Sequence, residues 1–495
     1  MTSDTQHAAS APPAGITIVG LGPGAPEQVT LEAWQALLQA DEVYLRTRVH
    51  PTVSSLPPTL TVHTFDYLYE SAETFAEIYA AIASRLVELA ASGRSVVYAV
   101  PGHPLVGEDS VRRLVAAARE RAIPVRIVAG LSFLEPVLTA VGVDPLADGL
   151  QIVDATAVIA AAEGPDGAGP DRFAGGLRAF DPTRPTLIAQ VYSAAIASHL
   201  KLALLEEYPP EHEVAVVQSA GMREGEVARR TLLAELDHGQ ADHLTTVYVP
   251  PLGPLDDLRG FDTFRRIVAR LRAPDGCPWD REQTHQSLRR FVIEEAYEVV
   301  DALDSRDPAK LAEELGDLLL QVVLQAQIAL EHDEFTLEDV CQSISAKLIR
   351  RHPHVFGDRV VSGSAEVLRN WDQIKRAERE SSGESASLLA SVPKALPALA
   401  RAHAIQRRAA RAGFDWAEPD GAFQKVAEEL AELQATTTEE RQRAELGDLL
   451  LAVVAVSRRL EIDPEEALRE ATDQFVRRFD QLERIAAERG VELAS

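Results

Sequence analysis

The heptapeptide Glu-Leu-Gly-Asp-Leu-Leu-Leu stands at 314–320 and again, letter for letter, at 445–451. Each copy follows a Glu-Glu-x-x-Glu motif, formed by Glu294, Glu295 and Glu298 in the first case and by Glu428, Glu429 and Glu432 in the second. A tryptophan lies further upstream of each, Trp279 and Trp416, and an arginine pair follows each, Arg350-Arg351 and Arg477-Arg478. A shared order of features over such a span is the mark of a duplicated unit, so everything beyond residue 256 must fold as two versions of one module. The module is helical. Phe264, Ile267, Val268 and Leu271 fall at i, i+3, i+4 and i+7, the apolar stripe of an amphipathic helix. The modules are expected at 256–379 and 388–495, with the Ser/Glu/Gly-rich stretch 380–387 as a linker.

Residues three apart on a helix share a face. Glu295 therefore points with Glu298, and Glu314 with Asp317; in the second copy Glu429 points with Glu432, and Glu445 with Asp448. Two antiparallel helices carrying such pairs would bring four carboxylates together. Glu314 and Asp317 are interleaved with the stripe Leu315, Leu318, Leu319, Val322 and Val323, which sets them at the edge of an apolar face. Carboxylates gathered there repel one another and raise their own pKa values, and a divalent cation removes that penalty. Oxygen-only ligands suit Mg²⁺, or Mn²⁺ in its place, and disfavour zinc. A lone Glu-Glu-x-x-Glu is usually a solvated helix face. Pairing with Glu-x-x-Asp, apolar stripes and exact repetition together favour a metal site.

The segment 261–495 resembles the MazG family nearly end to end. The matching stretches are Gly276-Cys277-Pro278-Trp279-Asp280, the two carboxylate pairs of motifs, 351–357 (Arg-His-Pro-His-Val-Phe-Gly) and Ala412-Gly413-Phe414-Asp415-Trp416. The resemblance implies tandem four-helix-bundle modules, a homodimer, and hydrolysis of NTPs or dNTPs to the monophosphate and pyrophosphate. It implies Glu295, Glu298, Glu314 and Asp317, and Glu429, Glu432, Glu445 and Asp448, as metal ligands. Family members often place a lysine three residues before the double arginine; Lys347 stands there in the first module and Gln474 in the second. The second also has Arg407, Arg408 and Arg411 upstream, and family resemblance favours it as the hydrolytic one. Glu428, Glu429, Arg477 and Arg478 are thus the catalytic candidates. His352 and His354 lack a third metal ligand and are expected to shape a loop or touch phosphate. Trp279 and Trp416 suit base stacking and core packing equally.

The first half alternates short apolar runs with helical patterns. Ile16–Val19, Val96–Val100, Val125–Val128, Leu187–Val191 and Val214–Val217 each lead into a turn or a Gly/Pro cluster, which argues for an α/β domain with largely parallel strands over 15–250. Residues 1–14 read as a disordered tail, 163–169 as a surface loop and the Pro/Gly cluster 250–254 as a boundary. The loop Gly20-Leu21-Gly22-Pro23-Gly24 also fits a dinucleotide fingerprint, but Asp41 and Glu42 would begin the second strand instead of ending it, which counts against that reading. This loop, with 97–114, 129–133 and 142–155, is similar to tetrapyrrole-methylase-like domains, in an architecture that fuses one to MazG modules. The resemblance implies two α/β lobes and S-adenosylmethionine in a cleft lined by Gly20, Gly22, Pro23 and Gly24, by Gly102, His103 and Pro104, and by Gly130 and Ser132. Active methylases of the class usually carry Gly-Asp-Pro where this chain has Gly102-His103-Pro104, so a domain that binds the ligand without transferring its methyl group is an equal expectation.

A formal charge of −27 repels polyanions, so a nucleic-acid polymer is not an expected partner; bound metal would still admit a small triphosphate. Two cysteines, Cys277 and Cys341, make neither a disulfide framework nor a zinc site. With no basic n-region followed by an apolar h-region, and apolar runs too short to span a bilayer, a cytoplasmic chain without membrane contact is expected.

Overall fold

The computed structural model describes residues 15–70, 72, 74–163, 178–364, scattered positions between 366 and 389, 392–418 and 420–490. The expected tail 1–14, all but the first residue of the 163–169 loop and the linker 380–387 lie outside the described residues.

The first lobe runs β1 (Ile16–Gly20), α1 (Leu31–Leu38), β2 (Glu42–Leu45), β3 (Thr61–Thr64), α2 (Asp66–Tyr69), α3 (Phe75–Ala91), β4 (Val96–Val100), α4 (Asp109–Glu120) and β5 (Val125–Val128). Its sheet has the order β3-β2-β4-β1-β5, and every pairing is parallel. Central strands of such a sheet are covered on both faces, which is why β1 and β4 read as unbroken apolar runs. Ile16, Ile18, Tyr98 and Val100 pack with Ile82, Leu86 and Leu114 of α3 and α4, and Val19, Val43, Leu45 and Ala99 pack with Ala33 and Leu37 of α1. Thr74 and Glu77 close a reciprocal capping box at the start of α3.

The second lobe follows as α5 (Leu134–Val141), β6 (Gln151–Asp154), α6 (Ala155–Glu163), β7 (Thr186–Ala189), α7 (Ala194–Leu205), β8 (Glu213–Gln218), β9 (Val227–Leu232) and β10 (Thr245–Val249). Its order is β6-β7-β10-β8-β9, and only β6–β7 is parallel. The expectation of largely parallel strands therefore holds for the first lobe and not for this one. The connections explain the difference. Residues 219–226 between β8 and β9 are too few for a crossover helix, so the chain must turn back antiparallel. After β10 the chain is fastened to this lobe. Arg178 makes a bidentate pair with the buried Asp257 at 2.5 and 3.0 Å and reaches Glu207 at 2.9 Å, and Leu252 N donates to Pro182 O.

The remainder is helical: α8 (Phe261–Arg272), α9 (Pro278–Glu282), α10 (Arg289–Ser305), α11 (Pro308–Glu331), α12 (Leu337–Arg351), α13 (Pro353–Phe356), α14 (Ala398–Arg411), α15 (Asp420–Ala435), α16 (Glu439–Arg459) and α17 (Pro464–Glu488). Contacts divide the chain into two compact units, 1–337 and 338–495; their boundary falls within the stretch 256–379. In the first unit α10 packs on α11 and α8 packs on α11. Arg272, buried at the end of α8, holds Glu331 of α11 at 2.7 Å and donates to the carbonyl of Asp280. In the second unit α15 packs on α16, and α14 packs on α16 and α17. Asp307 and Asp463 cap α11 and α17, each followed by a proline at the first helical position. Among the described residues no helix is long and apolar enough to cross a membrane.

Candidate metal centres and the glycine cleft

Packing α10 on α11 brings the first set of carboxylates together. Glu295, Glu314 and Asp317 each offer an oxygen, and these oxygens all lie within 4.8 Å of one another. Glu298, expected as a fourth ligand, is hydrogen-bonded to Glu295 but is not in this group of three. The Glu295 carboxyl is held above its usual range, first by burial, then by the Glu298 hydrogen bond and the charges of Asp317, Glu298 and Glu294. Packing α15 on α16 repeats the arrangement with Glu429, Glu445 and Asp448 within the same 4.8 Å. Glu445 is raised, by burial first and then by Glu432, Glu429 and Asp448. Oxygens around one Mg²⁺ at about 2.1 Å lie roughly 3–4 Å apart, so small side-chain movements suffice for either cluster to close on such an ion. The donor set fits a hard divalent cation.

The clusters have different surroundings. Glu429 is buried, and Lys425 Nζ sits 2.6 Å from its Oε1 and 2.9 Å from Glu428 Oε1. Glu428 is exposed and stays outside the ligand group. A lysine four residues before a glutamate reads as an ordinary helix-surface pair, which is why the sequence did not single Lys425 out. The arginine pairs also differ. Arg350 and Arg351 both hold Glu378, at 2.7 and 2.6 Å, and this draws the Glu378 carboxyl down to about 2, the Arg351 hydrogen bond contributing most. Arg477 and Arg478 are exposed on α17 and, among the described residues, in no ion pair.

His352 and His354 join no metal group among the described residues. His352 Nδ1 donates to the Leu348 carbonyl at 2.7 Å, and its ring lies beside Trp371, so it shapes the turn into α13. Trp279 meets Phe291 edge-on at 5.9 Å. Trp416 lies over Gly421, where a Cβ would come within 2.7 Å of the indole. Each indole has a local neighbour, and neither is buried, Trp279 standing 52% and Trp416 39% exposed.

In the first half the three expected loops converge at the carboxyl ends of β1, β4 and β5. A Cβ on Gly20 would stand 2.5 Å from Gly102 O and 2.7 Å from Gly130 N; one on Gly130 would stand 2.4 Å from Gly102 O. These glycines let backbone pack on backbone. Gly22 N and Gly102 O, and Gly102 N and Gly22 O, exchange hydrogen bonds, joining the first two loops. Ser132 is buried, its hydroxyl and amide both donating to Glu135. His103 Nδ1 accepts the Leu105 amide at 3.1 Å, the bond an aspartate makes in an Asx turn. Pro104 is buried and Pro23 half-buried. From the second lobe Met222 reaches Gly24 and Arg223 pairs with Glu27, so the cleft lies between lobes. Sequence reasoning missed buried polar groups of the first lobe: Glu108, which takes Arg46 at 3.4 Å and Ser110 Oγ at 2.7 Å, and His50, pushed down to about 4 by burial and then by Arg46 and His243. No local pattern marks these residues, because the fold alone brings them together.

The family model for MazG nucleotide pyrophosphohydrolase domains matches residues 283–356, across the first cluster, and that for tetrapyrrole (corrin/porphyrin) methylases matches 15–237. The nucleoside triphosphate pyrophosphohydrolase/pyrophosphatase MazG of Thermotoga maritima is 44% identical over 233 residues, 47% of this chain and 89% of that protein. The chain belongs to the MazG family. A nucleoside triphosphate pyrophosphohydrolase of Escherichia coli K12 is 46% identical over 238 residues, covering 90% of that MazG relative. The uncharacterized protein YabN of Bacillus subtilis is 43% identical over 486 residues, 97% of this chain and 95% of that one, so it shares the whole arrangement of a methylase-type domain ahead of MazG modules. A uroporphyrin-III-C-methyltransferase structure from Thermus thermophilus aligns over 49% of this chain and 95% of its own, at 26% identity and TM-score 0.36.

Proposed function

We propose that the chain hydrolyses nucleoside triphosphates, ribo- and deoxyribo-, to the monophosphate and pyrophosphate, with broad base tolerance, and that its second module carries the reaction. The observation that carries this reading is the convergence of each repeated set of carboxylates into an oxygen-only cluster. When bound, Mg²⁺ or Mn²⁺ supplies the charge that gathers the triphosphate oxygens and draws a water towards hydroxide. Glu429, Glu445 and Asp448 hold it, and Glu432, hydrogen-bonded to Glu445, fixes that ligand. Glu428, exposed beside the cluster and outside its ligand group, takes the proton of the water that attacks the α–β linkage. Arg477 and Arg478, unlike Arg350 and Arg351, have guanidinium groups available to phosphate oxygens. Incubation with a panel of NTPs and dNTPs and Mg²⁺, with products resolved by chromatography, is expected to give monophosphate and pyrophosphate in equal amounts. Orthophosphate release in place of pyrophosphate would overturn this reaction, and no turnover with either metal would make the helical half a nucleotide-sensing module instead.

The apolar stripes support a homodimer through 261–495. Leu315, Leu319 and Val322 on α11, Leu446 and Leu450 on α16, and Phe475 and Phe479 on α17 are each more than 40% exposed, a surface that a soluble chain covers with a partner. Light scattering at micromolar concentration is expected to give twice the chain mass, and a monomer refutes the dimer.

For the methylase-type domain, the conjunction of the three loops supports S-adenosylmethionine or S-adenosylhomocysteine binding in the cleft. Calorimetry on the full chain with S-adenosylhomocysteine checks it. Because His103 does the turn-forming work of an aspartate, His103→Asp is expected to keep the affinity. His103→Ala, which leaves the Leu105 amide without its partner, is expected to weaken it by about 1 kcal/mol, roughly fivefold. Heat with NAD and none with either sulfur ligand would assign the cleft to dinucleotides.

A further inference from the structure

The two carboxylate clusters differ at one matching position. Lys425 lies four residues before Glu429, one turn back on the same face of α15, with its ammonium on Glu429 and Glu428. Four residues before Glu295 the first module has Phe291. Its ring is covered by the Arg290 guanidinium at 4.4 Å and met edge-on by Trp279. An aromatic ring cannot neutralise a carboxylate. Among the described residues no cation pairs with Glu295, Glu298, Glu314 or Asp317.

We propose that Lys425 makes metal uptake at the second cluster depend on the nucleotide, whereas the first cluster takes its divalent cation unaided. This rests on the metal-dependent hydrolase reading above. An ion held by Glu429, Glu445 and Asp448 must share Glu429 with the ammonium, and like charges a few ångströms apart repel appreciably even in water. The ammonium therefore has to leave when the metal enters. Its side chain is 39% exposed and rides on a flexible four-carbon stem, so it is free to swing. A triphosphate gives it a new anionic partner close by, and the Glu429 carboxylate it abandons passes to the metal, while Glu428 is left without its ammonium. Metal and nucleotide thus enter the second cluster together, each tightening the other by the same factor. At the first cluster there is no ammonium to displace among the described residues, so the cation enters alone.

The test is Mn²⁺ binding to the full chain, followed by electron paramagnetic resonance. Titrations are run with and without a triphosphate analogue whose α–β bridging oxygen is replaced by methylene. Without the analogue one tight class of Mn²⁺ is expected, lost in Glu295→Gln/Glu298→Gln. A second class, lost in Glu445→Gln/Asp448→Asn, is expected to tighten about tenfold or more when the analogue is added. In Lys425→Met that class should bind about tenfold tighter without the analogue than in the unaltered protein, and Lys425→Arg should restore the dependence. Equal affinity of both classes without the analogue, or an unchanged second class in Lys425→Met, overturns the proposal and leaves the hydrolase reading standing. No second Mn²⁺ even with the analogue removes both.

Discussion

Glu429→Ala/Glu432→Ala is expected to abolish triphosphate hydrolysis, whereas Glu295→Ala/Glu298→Ala leaves most of it. Deleting one ligand of a catalytic metal, Glu429, together with the carboxylate that fixes another, Glu432 on Glu445, removes about 4 kcal/mol or more of transition-state stabilisation, roughly a thousandfold in rate. The direction follows from the surroundings of the two clusters. Beside the second stand an exposed carboxylate, Glu428, and a partly exposed ammonium, Lys425, and its module carries Arg477 and Arg478, which are in no ion pair among the described residues. The arginines that follow the first heptapeptide are occupied by Glu378. Initial rates on each double variant, with circular dichroism to confirm that helix content is unchanged, decide it. Intact turnover in the second pair and loss in the first would transfer the chemistry to the first module and make Lys347 its phosphate contact.

The methylase-type domain offers the largest expected effect on stability. Gly130→Ala puts a methyl group 2.4 Å from Gly102 O and 2.9 Å from Gly20 Cα. Every obstacle is backbone at the ends of three strands of one sheet, so none can yield without parting the strands. The expected cost is about 3 kcal/mol or more, a fall in Tm of roughly 10 °C for a domain of this size. Loss of S-adenosylhomocysteine binding should accompany it. Gly363→Ala, where a Cβ meets nothing within 4 Å, is the control and should stay within about 0.5 kcal/mol. Differential scanning calorimetry of the two variants reads both outcomes, and an unchanged Tm in Gly130→Ala would refute the close approach.

The carboxylate clusters were legible in the sequence because their determinants are local. Spacing of three fixes a shared helix face, and repetition separates a site from a solvated surface. The parallel lobe was legible for the same reason, since buried strands such as β1 and β4 read as apolar runs. What escaped was whatever depended on distant partners. Glu378 lies 27 residues beyond Arg351, and nothing near the arginine pair signals that it is taken. Arg46 and His50 share the connection between β2 and β3, and Glu108, which follows β4, meets Arg46 only when the first sheet forms. The glycines at 20, 102 and 130 were assigned to a ligand, and the fold shows that at 20 and 130 they first serve each other. The antiparallel half of the second sheet was hidden in the length of one connection, 219–226, which strand patterning does not weigh.

The clamp of Asp257 on Arg178 changes where this protein can be cut. The prolines at 250–254 invite a scissor, since they read as a tether between independent halves. A fragment ending at 255 would strip the guanidinium of its bidentate partner and leave it, with Glu207, as an ill-matched pair beside the Phe180–Tyr208 stack. The methylase-type domain keeps its last anchor beyond its last strand, so an expression boundary belongs after Gly260. The chain leaves β10, which sits in the middle of its sheet, and is tied to this lobe once more at Asp257 before α8 begins.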